Sequence, residues 1–374
     1  MTRILPPSTI PGMTSHVIAP PALHRWVIEL WTAAGSSPRE AELVADHLVG
    51  ANLSGHDSHG VGMIPRYVSA WLTGELRLNE HVSVAKDSGT LLTLDGHRGM
   101  GQVVAHEAMT IAIDRARRDG VCVLGLRHAH HIGRIGHWAE QAAAAGLVSV
   151  HFVNGVSKPW VAPHGGRQGR FNTNPFTVGI PVPGREPIVL DFATSAIAQG
   201  KVRVAFNKGE TVAPGLLLDG AGEPTQEPGV MFPAGAAPTG ALLPMGGHKG
   251  YALAMVCEVL GAALIGGDTG RDAHLTLQHA IVNNMLALVF DPARMDGAPL
   301  FGDEVAAFVD WVRSSPRRPG VDAILMPGEP ERASRAARAA GIPVDGGTLA
   351  ALDDAAARVS QASGAALASL SGLA

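Results

Sequence analysis

Apolar residues recur at helical spacing through residues 22–34 and again through 38–53, so two amphipathic helices are predicted after a loose tail that ends near Val17. The second helix has a readable start. Ser37 can cap it, Pro38 suits the first helical position, and Glu40 stands where its carboxylate can bond back to the cap amide. The period then changes. TLLTLDG (90–96) predicts a strand, 103–118 an amphipathic helix stopped by Gly120, and VCVLGLR (121–127) another strand. The alternation repeats with a helix over 137–145 ended by Gly146, a strand at VSVHFV, and two more at TVGIPVP and PIVLDFA. A long apolar helix is predicted from about Gly250, after the turn GGHKG, and two alanine-rich helices, SRAARAAG and LAALDDAAARVSQ, lie within 327–374. No segment repeats at a fixed period, which excludes a solenoid.

Composition narrows the class. A chain of 374 residues buries a large core in two or three structural units, and 17% charged residues beside 46 glycines suit a compact α/β enzyme with many tight turns. A net charge of −4, with no basic run beyond the short cluster at Arg115, Arg117 and Arg118, argues against nucleic acid as a partner. Cys122 and Cys257 sit in apolar runs where a thiol packs as a small hydrophobe, so neither a disulfide framework nor a zinc knuckle is expected. The first residues, MTRILPPSTIPGM, lack the apolar core of a secretory signal. The most apolar stretch, 251–265, is short for a bilayer span and carries Glu258, so it is expected as a buried helix of a soluble, cytoplasmic protein with no membrane partner.

Four constellations carry candidate chemistry. GHDSHGVGMIPRY brings Ser58, His59, Arg66 and Tyr67 together, and His59 with Arg66 suits a substrate carboxylate, although a polar helix end with a satisfied histidine fits the same letters. RHAHHIGRIGHWAE follows a strand, at the end where α/β sheets bind ligands, and crowds His128, His130, His131 and His137 there. His128 and His130 would share one face of a continuing strand, but no carboxylate or cysteine nearby completes a metal shell, so no metal is expected. A general acid/base imidazole needs no such shell. PMGGHKGYALAMVCEVL sets Lys249 at a helix start, where the helix dipole opposes a cation unless an anion neutralises both. Asn172, Thr173, Asn174, Asp191, Thr194 and Ser195 cluster at strand ends, and suit either ribose and carboxamide contacts or turns. No G-x-G-x-x-G follows a strand and no P-loop is present, so a Rossmann site is not predicted.

The co-ordered motifs DSHG with Tyr67 beyond it, HHIGRIGHWAEQAAAAGL, TNPF, DFATSAIA, HKGYALA and PGEPE resemble the malate/L-lactate dehydrogenase-like family over nearly the whole chain from about Ala22. The resemblance implies a non-Rossmann α/β fold, with a sheet-based cofactor domain over 87–309 beside a helical domain built from both chain ends, 18–86 and 310–374, after a flexible tail over 1–17. It implies a homodimer with active sites near the subunit interface and NAD or NADP as cofactor. It also implies hydride transfer between that cofactor and a small 2-keto or 2-hydroxy carboxylic acid, with His131 as acid/base. Ser58, His59 and Tyr67 would serve the substrate end, helped by Arg66 and by Lys158 in the atypical stretch NGVSKPWVAPHGG, where His164 also lies. Cofactor contacts would come from His59, Gly133, Arg134, Ile135, Val189, Leu190, Asp191, Phe192, Ala193, His248, Lys249, Gly328, Glu329, Pro330 and Glu331, with Asn283 a weaker candidate. Two departures from the family pattern bear on the pocket: Ile132 follows the histidine where phenylalanine or leucine is common, and His128 replaces an asparagine. On the same fold, the alternative chemistry is reduction of a cyclic imine carboxylate or oxidation of a ureido- or sulfo-substituted hydroxy acid. A non-enzymatic metal- or dinucleotide-binding protein is the rival of a different class.

Overall fold

The computed structural model describes residues 15–233 and 238–373. In chain order the elements are β1 (Ser15–Ile18), α1 (Pro20–Ala34), α2 (Pro38–Leu53), α3 (Ile64–Leu72), β2 (Ser83–Ser88), β3 (Leu91–Asp95), α4 (Gly101–Asp119), β4 (Val121–His130) and α5 (Gly136–Ala144). They continue with β5 (Val148–Val156), β6 (Pro175–Ile180), β7 (Ile188–Ala193), α6 (Gln199–Lys208) and the short strands β8 (Leu217–Leu218), β9 (Pro224–Thr225) and β10 (Ala241–Leu242). The chain closes with α7 (His248–Gly261), β11 (Val282–Phe290), α8 (Ala298–Arg313), α9 (Glu329–Arg338), β12 (Ile342–Asp345) and α10 (Gly346–Ser363).

The architecture is mixed α/β. Seven strands form one sheet in the order β2-β3-β4-β11-β5-β6-β7, in which only β3 and β4 run parallel. Alternation along β5 shows how the two faces are filled: Val153 joins the apolar core under α4 and α5, while the next residue, Asn154, bonds Glu258 of α7 on the other face. That core also takes Leu124 and Leu126 from β4 and Met285, Ala287 and Val289 from β11. A second core joins both chain ends, with Leu30 and Trp31 of α1, Leu48 of α2, Tyr67 of α3, Ile342 of β12 and Leu352 of α10 packed together. A third, smaller core gathers around β8 and β10 with Val202 of α6 and Ala254 of α7.

Several elements depart from the expectations above. Residues 1–14 of the expected tail lie outside the described residues, but Ser15–Ile18 forms β1, pairing antiparallel with β12 so that Ile18 faces Ile342. Residues 15–17, expected in the tail, therefore belong to the fold, held there by Ile18, which is fully buried in the core of the chain ends. The stretch 248–265 is long and apolar enough to cross a membrane by length and composition. Its helix is buried on one side only. Ala254, Cys257 and Glu258 face inward, whereas Met255, Val256 and Val259 are exposed. β11 lies at the centre of the sheet, and α8 buries no residue and leaves Phe308 and Trp311 exposed.

Because Ile18 and Ile342 fill one closed site, Ile18→Ala is expected to lower unfolding free energy by about 2–5 kcal/mol. Urea denaturation checks this; an unchanged midpoint would mean that β1 adds nothing to the core.

Candidate active site

β4 carries the chemistry to the end of the sheet and then breaks register. Pairing with β11 slips between Met285↔Leu126 and Asn283↔Ala129, and His128 in that slip adopts a left-handed φ of 52°. This bulge separates the histidines. His128 reaches Asp95, with Nδ1 3.0 Å from the carboxylate, whereas His130 is fully buried with its ring 5.0 Å from that of Tyr67. The expectation that the two share one face therefore fails, because the strand is not regular there. Among the described residues no group of three or more His, Cys, Asp or Glu is arranged to hold a metal ion.

His131 follows immediately, and its peptide is clamped. A Cβ on Gly101, the first residue of α4, would stand 2.1 Å from the His131 carbonyl oxygen and 2.4 Å from that of His130, so only glycine fits. The imidazole Nδ1 lies 2.5 Å from the Tyr67 hydroxyl. Gln102 donates from Nε2 to that hydroxyl at 3.1 Å and to the His131 carbonyl at 3.3 Å. The ring of His59 stacks on that of His131 at 5.6 Å and 21°, and the Ser58 hydroxyl sits 3.0 Å from His59 Nδ1.

Burial dominates the electrostatics. It drives His131 well below the ordinary imidazole value, reinforced by His59, His130 and Arg66. Burial, then His56, lowers His59 to about 4, and burial with Arg66 lowers His130 to about 3. Burial also raises the Tyr67 phenol, so at neutral pH the cluster is uncharged and Tyr67 keeps its proton. A neutral, hydrogen-bonded imidazole beside a second one is suited to passing a proton to or from a bound oxygen.

The next five residues form a cradle at the start of α5. Ile132 N–H donates to Asn283 Oδ1, and Gly133, at φ 72°, leaves no room for a Cβ against His47. Arg134 N–H donates to His47 Nε2 at 2.9 Å, and Gly136 N–H to Asp191 Oδ2 at 2.8 Å. The Arg134 side chain is only 3% exposed. Its Nη2 bonds Glu140 at 2.6 Å, and Arg335 of α9 closes on the same carboxylate at 2.7 Å. Its Nη1 is buried, has no hydrogen-bond partner among the described residues, and lies 4.0 Å from Asp191. Beside this cradle runs β7, the sheet edge. Val189 N–H reaches the Pro327 carbonyl, and Gly328, at φ 92°, packs against Val189. Glu331 pairs with His56 at 3.1 Å. An orphaned buried guanidinium, a glycine cradle and edge-strand peptide groups beside an acidic side chain fit the phosphates and hydroxyls of a dinucleotide.

The structure thus brings Ser58, His59, Tyr67 and His131 together, with Gly133, Arg134 and Ile135 next to them in the chain and Asp191, Val189, Gly328 and Glu331 alongside. Other expected residues are engaged differently. Arg66 spends Nε and Nη2 on the His279 and Ala280 carbonyls, so a full carboxylate clamp is not what its geometry offers. Asn283 uses both amide ends inside the protein, toward Ile132 and Asn154. Lys158 is exposed with its ammonium 6.0 Å from the Trp160 ring centroid. His248 and Lys249 are exposed at the start of α7, where the His248 ring is 6.0 Å from that of His164. Glu329 pairs with Arg313, and the Phe192 ring lies 5.9 Å from that of Phe176. Leu190, Ala193 and Pro330 complete the β7 and α9 segments. Sequence reasoning missed Gln102, His47, Glu140 and Arg335. The Glu140 signal was present in HWAE, but its partner Arg335 is distant in the chain. A cavity of about 410 Å³ lined by Arg77, Asp95, His97, Arg98 and His128 opens beside the end of β4 and includes, of the candidate histidines, His128 alone, and none of the residues expected to hold substrate or cofactor.

Known proteins resemble this chain over most of its length. The chain matches the malate/L-lactate dehydrogenase family over residues 18–353. It is 49% identical over 339 residues to hydroxycarboxylate dehydrogenase B of Escherichia coli K12, covering 90% of this chain and 92% of that protein. It is 43% identical over 298 residues to an L-lactate dehydrogenase of Cupriavidus necator, covering 79% and 84%. A solved E. coli chain of malate/lactate dehydrogenase type superposes with a TM-score of 0.88 at 47% identity, covering 92% of this chain and 95% of that one.

The depressed histidines fix a pH dependence. Each binds fewer protons folded than unfolded, so the stability it contributes is complete above about 6.5 and is lost as pH falls toward its folded value, about 3 for His130 and 4 for His59 and His137. Unfolding free energy is expected to fall between pH 7 and 5, and His130→Leu to flatten that slope. Denaturant titrations across the range check this, and a flat wild-type profile would contradict it.

Proposed function

We propose that this chain, which belongs to the malate/L-lactate dehydrogenase family, is a nicotinamide-dependent oxidoreductase that interconverts small 2-keto and 2-hydroxy carboxylic acids, with His131 as the acid/base group. The observation that carries the reading is the buried contact of His131 with Tyr67 and His59 beside the Arg134 cradle. A bound nicotinamide, from NAD or NADP, supplies or accepts the hydride. Arg134, the Gly133 loop, the peptide groups of β7 and the segment from Gly328 to Glu331 would hold that cofactor. The working protein is a cytoplasmic homodimer in this reading.

The residues of the chain do the rest. Ser58 orients His59 through Nδ1, which leaves Nε2 of His59 for the substrate carboxylate. An anion there favours the charged form of both stacked imidazoles, opposing the burial that keeps them neutral in its absence. Substrate binding and protonation of His131 are therefore coupled. Tyr67 fixes the ring from the Nδ1 side, so the proton that moves is the one at Nε2. In reduction the doubly protonated ring gives that proton to the keto oxygen and keeps the one at Nδ1; in oxidation the neutral ring, with its proton at Nδ1, takes it from the hydroxyl.

His131→Asn is expected to lower turnover by a factor of about 10²–10⁴ while cofactor affinity, read by fluorescence titration, is retained. The assay is NADH and NADPH oxidation across 2-keto acids, cyclic imine carboxylates and sulfo- or ureido-substituted acids, with keto acids expected to lead. Full activity in the variant would remove His131 from catalysis, and a preference for cyclic imines would replace the substrate class.

A further inference from the structure

Gln102 occupies the first turn of α4, is 1% exposed, and touches both ends of the His131 unit. Its amide orientation is decided by chemistry. The His131 carbonyl can only accept, so the group 3.3 Å from it must be the NH₂, and the same nitrogen then donates to the Tyr67 hydroxyl at 3.1 Å. The other end, Oε1, is buried without a partner among the described residues. A flip that sent Oε1 to Tyr67 would set it against the His131 carbonyl oxygen, so the orphan is retained. The Tyr67 oxygen, having accepted from Gln102, has one hydrogen-bond acceptor for its own proton among the described residues, His131 Nδ1 at 2.5 Å.

We infer that Gln102 is a positioning residue: it makes Tyr67 the donor to His131 Nδ1 and so holds the resting imidazole as the Nε2–H tautomer, with its N–H presented to the substrate oxygen. The inference rests on the reading of His131 as the acid/base group and names what sets its polarity. A resting N–H donor matches a keto oxygen, which can only accept. When His131 is protonated, Nδ1–H points at the Tyr67 oxygen, and the Tyr67 proton loses its acceptor. Gln102 thereby opposes charging of the ring until an anionic substrate arrives. The other titratable or charged groups acting on His131 are His59, His130, His47 and Arg66. None of them contacts Nδ1, which is occupied by Tyr67.

The test is the tautomer and titration of His131 in ¹⁵N-histidine-labelled full-length protein, its signals assigned by their loss in His131→Asn. The wild type should show Nε2–H alone. Gln102→Glu supplies an acceptor for the Tyr67 proton, and should raise the pH at which His131 titrates, and the acid limb of kcat/KM, by about one unit or more. Gln102→Leu removes the donor and should lower kcat for keto acid reduction about 10-fold, without that upward shift and with KM for cofactor unchanged. An Nδ1–H wild-type ring, or a Gln102→Glu titration equal to wild type, overturns the inference. Should Gln102→Leu fail to fold, those two readouts decide the matter alone. Should His131→Asn keep full turnover while the tautomer is as stated, the acid/base reading fails and the placement by Gln102 stands.

Discussion

The hydrogen bond between Tyr67 and His131 is the constraint on which the site turns, because its two partners belong to different cores. Tyr67 is fully buried among the helices of the two chain ends, and His131 leaves the sheet just before Ile132 enters the other core. A bond of 2.5 Å across that seam requires both cores to be complete and in register. Burial makes it stronger than it would be in water and makes its loss costly. Gly101 adds the steric half of the constraint by letting α4 close on the carbonyls of His130 and His131.

A second consequence of the same burial is charge economy. His47, His59, His130, His131, His137 and His151 are all pushed toward the neutral form, chiefly by desolvation. Besides Arg66 and Glu331, the fixed charge nearby includes a chain of ion pairs, Arg335 to Glu140 to Arg134, with Asp191 at its end. This chain ties α9 to α5 and β7, and leaves one guanidinium nitrogen unspent. An uncharged proton-handling pair beside an incompletely paired cation is what a carboxylate and a phosphate each need from a protein.

Much of this was legible in the chain. The start of α2 at Pro38 and the stop of α4 at Gly120 follow from capping chemistry that acts locally, and both stand where the letters put them. β11 was missed because AIVNNMLALVF is a continuous apolar run broken by two asparagines, and a strand covered on both faces loses the alternation that marks strands. β1 was missed because four residues carry too little period to detect, and its worth lies in a partner far along the chain, β12. At the site, Ser58, His59, Tyr67 and His131 were visible as a clustered polar motif and a strand-end histidine. Gln102 was not, since a lone amide on an amphipathic helix looks like a solvated residue until the fold turns it inward. The bulge at His128 was equally hidden, and it decides that His128 and His130 part company.

The most direct measurement of the central claim is a crystal structure of the protein with a reduced nicotinamide cofactor and oxamate, an unreactive 2-keto acid analogue. The account predicts the oxamate amide oxygen within about 3.2 Å of His131 Nε2, its carboxylate at His59, and the nicotinamide ring on the opposite side of the carbon. A dinucleotide or oxamate seated in the cavity of Arg77, Asp95 and Arg98, with His131 facing neither, would contradict it.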